Sequence, residues 1–122
     1  MNDRHERTWE AYVSAWRAPS ADEKRATLRA SVADECEYRD PLIEAKGHEP
    51  LIAYMVDFHK QVPGGHFVTT YFLAHHDRSI AKWNMVDGSG TVIGDGTSYG
   101  QYRGDGKLVA MTGFFEVPES GS

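Results

Sequence analysis

The sequence has a single cysteine, Cys36, so no disulfide can form within the chain, and that usage fits a reducing compartment. Basic residues are also few. The 13 Lys and Arg are outnumbered by 18 Asp and Glu, for a net charge of -5, so composition offers no basic face for a nucleic-acid partner. No apolar run approaches the ~20 residues of a membrane span, and the polar opening Met1-Asn2-Asp3-Arg4-His5-Glu6 does not read as a signal peptide. A cytoplasmic location, away from membranes, is the expectation. Neither an HExxH pattern nor a cysteine–histidine cluster occurs, so no metal is expected. Internal repeats and low-complexity tracts are lacking too.

What is present suits one globular domain spanning 1–122. Hydrophobic residues make up 40% and charged residues 25% of 122 positions, and a chain of this length buries roughly two thirds of its unfolded surface. Trp9, Tyr12, Val13 and Trp16 fall at i, i+3, i+4 and i+7, which predicts a first helix capped by Asn2 or Asp3 and stopped at Ala18-Pro19. Ser20 followed by Glu23 is a capping-box signature for a second helix, through Leu28 and Val32 to about Ala33. After Gly47, Pro50 suits a first helical turn, and Leu51, Tyr54, Met55 and Phe58 repeat the stripe until Pro63-Gly64-Gly65.

From His66 the pattern becomes β-branched and aromatic. Turn signals at His76-Asp77-Arg78, Asp87-Gly88-Ser89-Gly90 and Gly104-Asp105-Gly106 separate four strand-like runs, roughly 66–76, 79–86, 91–102 and 107–116, an antiparallel meander. Residues 118–122 read as a polar tail. Helices first and hairpins after is the α+β order.

The stretch with chemistry in it is Cys36-Glu37-Tyr38-Arg39-Asp40-Pro41. It reads as a short strand that places Cys36, Tyr38 and Asp40 on one face and Glu37 and Arg39 on the other, until Pro41 turns the backbone out of the ladder. A carboxylate at the end of an apolar face loses hydration, so its pKa should rise from about 3.9, as a base near neutral pH requires. The same Asp-Pro pair is also a common turn starter, in which the carboxylate only caps the turn.

Several motifs, in order, resemble the nuclear transport factor 2-like superfold, in its SnoaL-like and ketosteroid-isomerase-like branch. They are Trp9-x-x-Tyr12-x-x-x-Trp16, Tyr38-x-Asp40-Pro41 followed by Gly47, the lone strand tryptophan Trp83, and Asp105-Gly106-Lys107-Leu108 leading to Gly113-Phe114-Phe115. The resemblance spans nearly the whole chain. It implies an α+β, cystatin-like cone, three N-terminal helices packed on a strongly bent, mostly antiparallel sheet around a deep apolar pocket, usually in a homodimer. Isomerases, cyclases, hydrolases, dehydratases and non-enzymatic binders share that fold, so function does not follow from it. By this resemblance Asp40 matches the ketosteroid isomerase aspartate that shuttles a proton between carbons. Trp16 falls where that isomerase has its oxyanion-hole tyrosine, and Ser98 where it has a protonated aspartic acid. Both changed residues can still donate one hydrogen bond, and Tyr12 and Tyr38 are further possible donors. The resemblance also places Trp83, Met111 and Phe115 along the pocket.

Other residues leave alternatives open. In the strand pattern around it, Gly94, Gly96, Ser98 and Gly100 share a face, which is either a pocket floor or a place where another element approaches closely. His75 and His76, adjacent on a strand, should point to opposite faces and so not grip one metal together. Cys36 reads as a small buried hydrophobe, and Arg39 faces away from Asp40, against an Asp-Arg-Asp epoxide-opening cluster.

Two functions therefore stand. One is a cofactor-free enzyme of isomerase, cyclase or hydrolase type acting on a small apolar carbonyl compound, with Asp40 as base, Trp16 and Ser98 as oxyanion donors, and Tyr12, Tyr38, Trp83, Met111 and Phe115 shaping the cavity. The other is a non-catalytic module that holds an apolar ligand or dimerises. With both oxyanion partners changed, efficient isomerisation of a flat steroid ketone is not expected. Strands with large apolar groups on both faces, Tyr71 with Phe72 and Phe114 with Phe115, point to a homodimer.

Overall fold

The computed structural model describes residues 3–117, so the capping role of Asn2 and the polar tail at 118–122 lie outside the described residues. Helix α1 (Asp3–Ala15) and helix α2 (Ala21–Ser31) precede strand β1 (Val32–Arg39) and the short strand β2 (Glu44–Lys46). Helix α3 (His48–Gln61) then leads into β3 (His66–His75), β4 (Arg78–Val86), β5 (Val92–Tyr102) and β6 (Leu108–Phe114). One sheet runs β2-β1-β6-β5-β4-β3, antiparallel throughout except for the parallel β1–β6 pair. This is the α+β arrangement expected, with the helices in the first half of the chain but α3 following two strands.

Local chemistry accounts for each boundary. Ser20 accepts a hydrogen bond from the Glu23 N–H and starts α2. The helix ends earlier than the apolar spacing suggested: Val32 already has extended backbone, φ -129 and ψ 133, and pairs with Leu108 as the first residue of β1. Helix α1 likewise stops at Ala15, and its last carbonyls, Ala15 O and Ala18 O, accept from the buried Lys24 ammonium at 3.1 and 2.6 Å. Gly47 sits at φ 85 ahead of α3, a conformation that favours glycine, and its N–H donates to Cys36 O.

The greatest departure from the sequence reading lies around Asp40. The chain does not run on as one strand to Gly47. It turns back as a hairpin, with Tyr38 opposite Ala45 and Arg39 opposite Glu44, and the Asp40 N–H donating to Ile43 O closes the turn. Pro41 occupies the second turn position, where its fixed φ is an advantage.

Helix α1 packs on α2 and β3, and α3 packs on α2, β1 and β2. The core lies between them and the inner sheet face, around Leu28, Leu51, Met55, Leu108 and Met111. Register shifts in four strand pairs, including Thr69/Tyr71 and Met85/Val86, let the sheet curve around the helices. No helix of the described residues is long and apolar enough to cross a membrane.

Candidate functional site

Between the helices and the inner sheet face lies a cavity of about 240 Å³. Helix α1 contributes Trp9, Tyr12, Val13 and Trp16; α3 contributes Tyr54, Asp57, Phe58 and Gln61. Phe67, Trp83, Met85, Ser98 and Gly113 come from the strands, with Tyr38, Asp40 and Phe115 completing the wall. Leu42, Asp57 and Gln61 are lining residues exposed to solvent, so they mark the mouth. The wall is mostly aromatic: Trp16 meets Tyr54, Phe58 and Phe67 edge-on at 5.2–5.8 Å between ring centres, and Phe67 meets Trp83 at 5.1 Å.

The Asp40 carboxylate is held by four donors. Oδ1 accepts from the Leu42 and Ile43 backbone N–H groups at 2.8 and 3.2 Å, and Oδ2 accepts from the Tyr38 and Tyr54 hydroxyls at 2.6 and 2.8 Å. The apolar surround read from Tyr38 alone is thus incomplete. Burial, reinforced by the adjacent Asp40 carboxylate, pushes both tyrosine hydroxyls well above their ordinary pKa, so they stay protonated donors at any physiological pH.

Two hydroxyls share a second pattern. The Trp16 indole N–H donates to Tyr12 Oη at 2.9 Å, and the Trp83 indole N–H donates to Ser98 Oγ at 3.0 Å. Each hydroxyl accepts from an indole and keeps its own proton to give. The Trp16 N–H is therefore spent inside the protein, and Tyr12, whose burial raises its pKa, is the group it presents to the cavity.

Gly113 joins the halves of the site. It pairs with Ser98 across the sheet, and a Cβ on it would stand 3.5 Å from Asp40 Cβ and 3.6 Å from Ser98 Oγ. The carboxylate and the hydroxyl thus flank a bare glycine, which leaves room for a reacting group between them. Of the other glycines on that face, Gly96 lies under the Trp83 ring, where a Cβ would come within 2.4 Å of it. There, close approach explains the glycine.

Of the residues singled out from sequence, Asp40, Trp16, Ser98, Tyr12, Tyr38, Trp83 and Phe115 all reach the cavity. Met111 does not line it. It is buried in the core on the same strand, opposite Tyr38 and Gly100. Tyr54 was missed as a site residue, because the helical stripe explained it as core; Phe58, Phe67 and Trp9 were missed likewise. Arg39 pairs with Glu37 and Glu44 on the outer face, away from Asp40. Cys36 is buried, and desolvation pushes its thiol up to about 12, so it is no nucleophile. The two histidines correct the sequence reading, because His76 is in a turn at φ 52, not on the strand, and its Nδ1 lies 3.1 Å from that of His75. No group of three or more His, Cys, Asp or Glu that could hold a metal ion occurs among the described residues.

Residues 9–121 match the SnoaL-like domain family. The chain belongs to the SnoaL-like family. Solved structures agree on the fold. A provisionally assigned isomerase of this family from Agrobacterium tumefaciens aligns with a TM-score of 0.86 at 21% identity, over 94% of this chain and 99% of that one. A provisionally assigned SnoaL-like polyketide cyclase from Jannaschia gives 0.75 at 16% identity, over 93% and 86%. TerC, co-crystallised with polyporic acid, gives 0.74 at 16% identity, over 93% and 92%. No curated protein matches at a significant level. At such identities the likeness of this SnoaL-like chain to its neighbours is one of fold.

Proposed function

We propose that this SnoaL-like protein is a cofactor-free enzyme that takes an α-proton from a small apolar carbonyl compound, with Asp40 as general base. The observation that carries this is the arrangement about Gly113, with an aspartate on one side, a free hydroxyl proton on the other, and an aromatic cavity above. The α C–H bond breaks, the proton passes to Asp40, and its electron pair moves to the carbonyl oxygen. Ser98 and Tyr12 then hold the developing oxyanion, while Trp83 and Trp16 stand behind them as positioning residues. Oδ2 is the oxygen that receives the proton as Tyr54 or Tyr38 gives way, because Oδ1 is committed to the turn.

A second reading rests on that same commitment. With four donors on one carboxylate, Asp40 is already satisfied as a turn residue, and the cavity would then only hold a ligand. An assay on β,γ-unsaturated ketones separates the two. A cavity of 150 Å³ accepts one benzene ring, so the 240 Å³ here suits about two fused rings better than four. We expect a two-ring β,γ-unsaturated ketone to be conjugated by the wild type and not by Asp40→Asn, and a ketosteroid to turn over poorly. Efficient steroid turnover abolished by Asp40→Asn but unaffected by Ser98→Asp would put the oxyanion site elsewhere. Tight binding of the two-ring ketone with no conversion would establish the binding module.

A further inference from the structure

The lining of the cavity contains two carboxylates, Asp40 and Asp57, and no lysine, arginine or histidine. The two acids differ. Asp40 has all its acceptors engaged at the inner end. Asp57 is exposed at the mouth, takes part in no ion pair among the described residues, and stands one helical turn from the exposed Gln61 on the same α3 face. Phe58 follows it in the chain, and the Trp16 and Tyr54 rings stand alongside, so aromatic faces and a carboxylate meet near the opening. The inner end, by contrast, holds hydroxyl protons without acceptors, on Tyr12 and Ser98.

We propose that the pocket selects its ligand by charge and polarity along its length. It takes a two-ring-sized molecule with a carbonyl acceptor at the inner end and a neutral or, better, ammonium group at the mouth against Asp57, and it rejects carboxylates and phosphates. This deepens the enzyme reading above and rests on the same cavity. The physical reasons are independent of the proton transfer. An anion entering this space exchanges its hydration for aromatic walls and two like charges, with no cation to compensate. An ammonium group at the mouth keeps most of its water, gains the Asp57 carboxylate and sits against ring faces that attract cations. Because Asp57 is exposed, the attraction is modest, and the exclusion of anions is the larger effect.

The test is a matched series of 2-tetralones carrying hydroxymethyl, aminomethyl or carboxylate substituents on the aromatic ring, titrated into the full chain and followed by amide NMR shifts. We expect the amine to bind about three times tighter than the alcohol and the carboxylate at least about tenfold weaker, an order set by one exposed charge pair against an uncompensated anion. In Asp57→Asn the ratio of amine to alcohol affinity should fall towards one, with the amide spectrum otherwise retained because the side chain supports no ion pair. A carboxylate that binds as well as the alcohol overturns the proposal, and so does an amine preference that survives Asp57→Asn. Equal binding of all three with shifts at Ser98 and Gly113 overturns the selection but leaves the pocket as the ligand site; no binding by any overturns both.

Discussion

Gly113 is the residue on which the chemistry turns, because it is the gap between Asp40 and Ser98. An alanine methyl there would be in ordinary van der Waals contact with its neighbours, 3.5 Å from Asp40 Cβ and 3.6 Å from Ser98 Oγ, so the fold should accept it. The reacting carbon, however, would lose its place. Gly113→Ala should unfold at the same temperature within a few degrees and lose at least about tenfold in activity, since small displacements of a bound substrate cost rates of that order or more. Thermal unfolding beside a steady-state assay checks this, and full activity would show that the substrate lies elsewhere. Gly96→Ala should behave in the opposite way, because its methyl would strike the Trp83 ring and move the wall. The residue scale is also where the sequence was least legible. Tyr54 and Tyr38 sit sixteen positions apart on different elements, and no periodicity could show that their hydroxyls meet on one carboxylate oxygen. Asp40 and Ser98 could be named from a family resemblance, yet only the register of β5 on β6 brings them to one glycine.

The elements are held in place by groups outside the cavity, and the junction of the three helices is the most telling. Lys24 on α2 caps the end of α1 and also lies 3.3 Å from His59 Nδ1 on α3, so one buried ammonium touches all three helices. Burial, and then the Lys24 charge, lowers the pKa of His59 below its ordinary 6.5. The unfolded chain therefore takes up this proton at higher pH than the folded one. Stability from this contact is fully present above about pH 6.5 and falls as the pH drops from there towards the lower folded value. Urea unfolding across pH 5 to 8 should show that decline in the wild type and a flatter profile in His59→Gln, whereas identical profiles would remove His59 as the cause. At this scale the sequence was read well where a local signal exists: the capping box of α2, the stripe of α3 and the turns of the meander all appear where the residues place them. Strand β2 was missed because three residues carry no period, and the end of α2 because Val32 continues the helical spacing while its β-branch and its pairing with Leu108 favour the strand.

The whole molecule presents an apolar outer sheet face that its own helices do not cover. Tyr71, Leu73, Ile80 and Phe114 are 49%, 48%, 40% and 60% exposed, and Leu73 pairs with Ile80 across β3 and β4. We propose that a second copy of the chain covers this face, which places the two cavities on the far sides of the dimer sheets. Sedimentation at micromolar concentration should give a dimer, and Phe114→Lys should shift it towards monomer; a wild type that is monomeric throughout would contradict the proposal. Catalysis is a separate matter, since the cavity is complete within one chain. The central claim, that Asp40 removes an α-proton from a ketone held in this cavity, is tested most directly by solvent deuterium uptake into 2-tetralone, followed by proton NMR at equal ligand occupancy for wild type and Asp40→Asn. The account predicts protein-dependent exchange at the α-carbons that falls by roughly 10²–10⁴ in the variant, the range a positioned general base contributes; exchange in Asp40→Asn at the wild-type rate would contradict it.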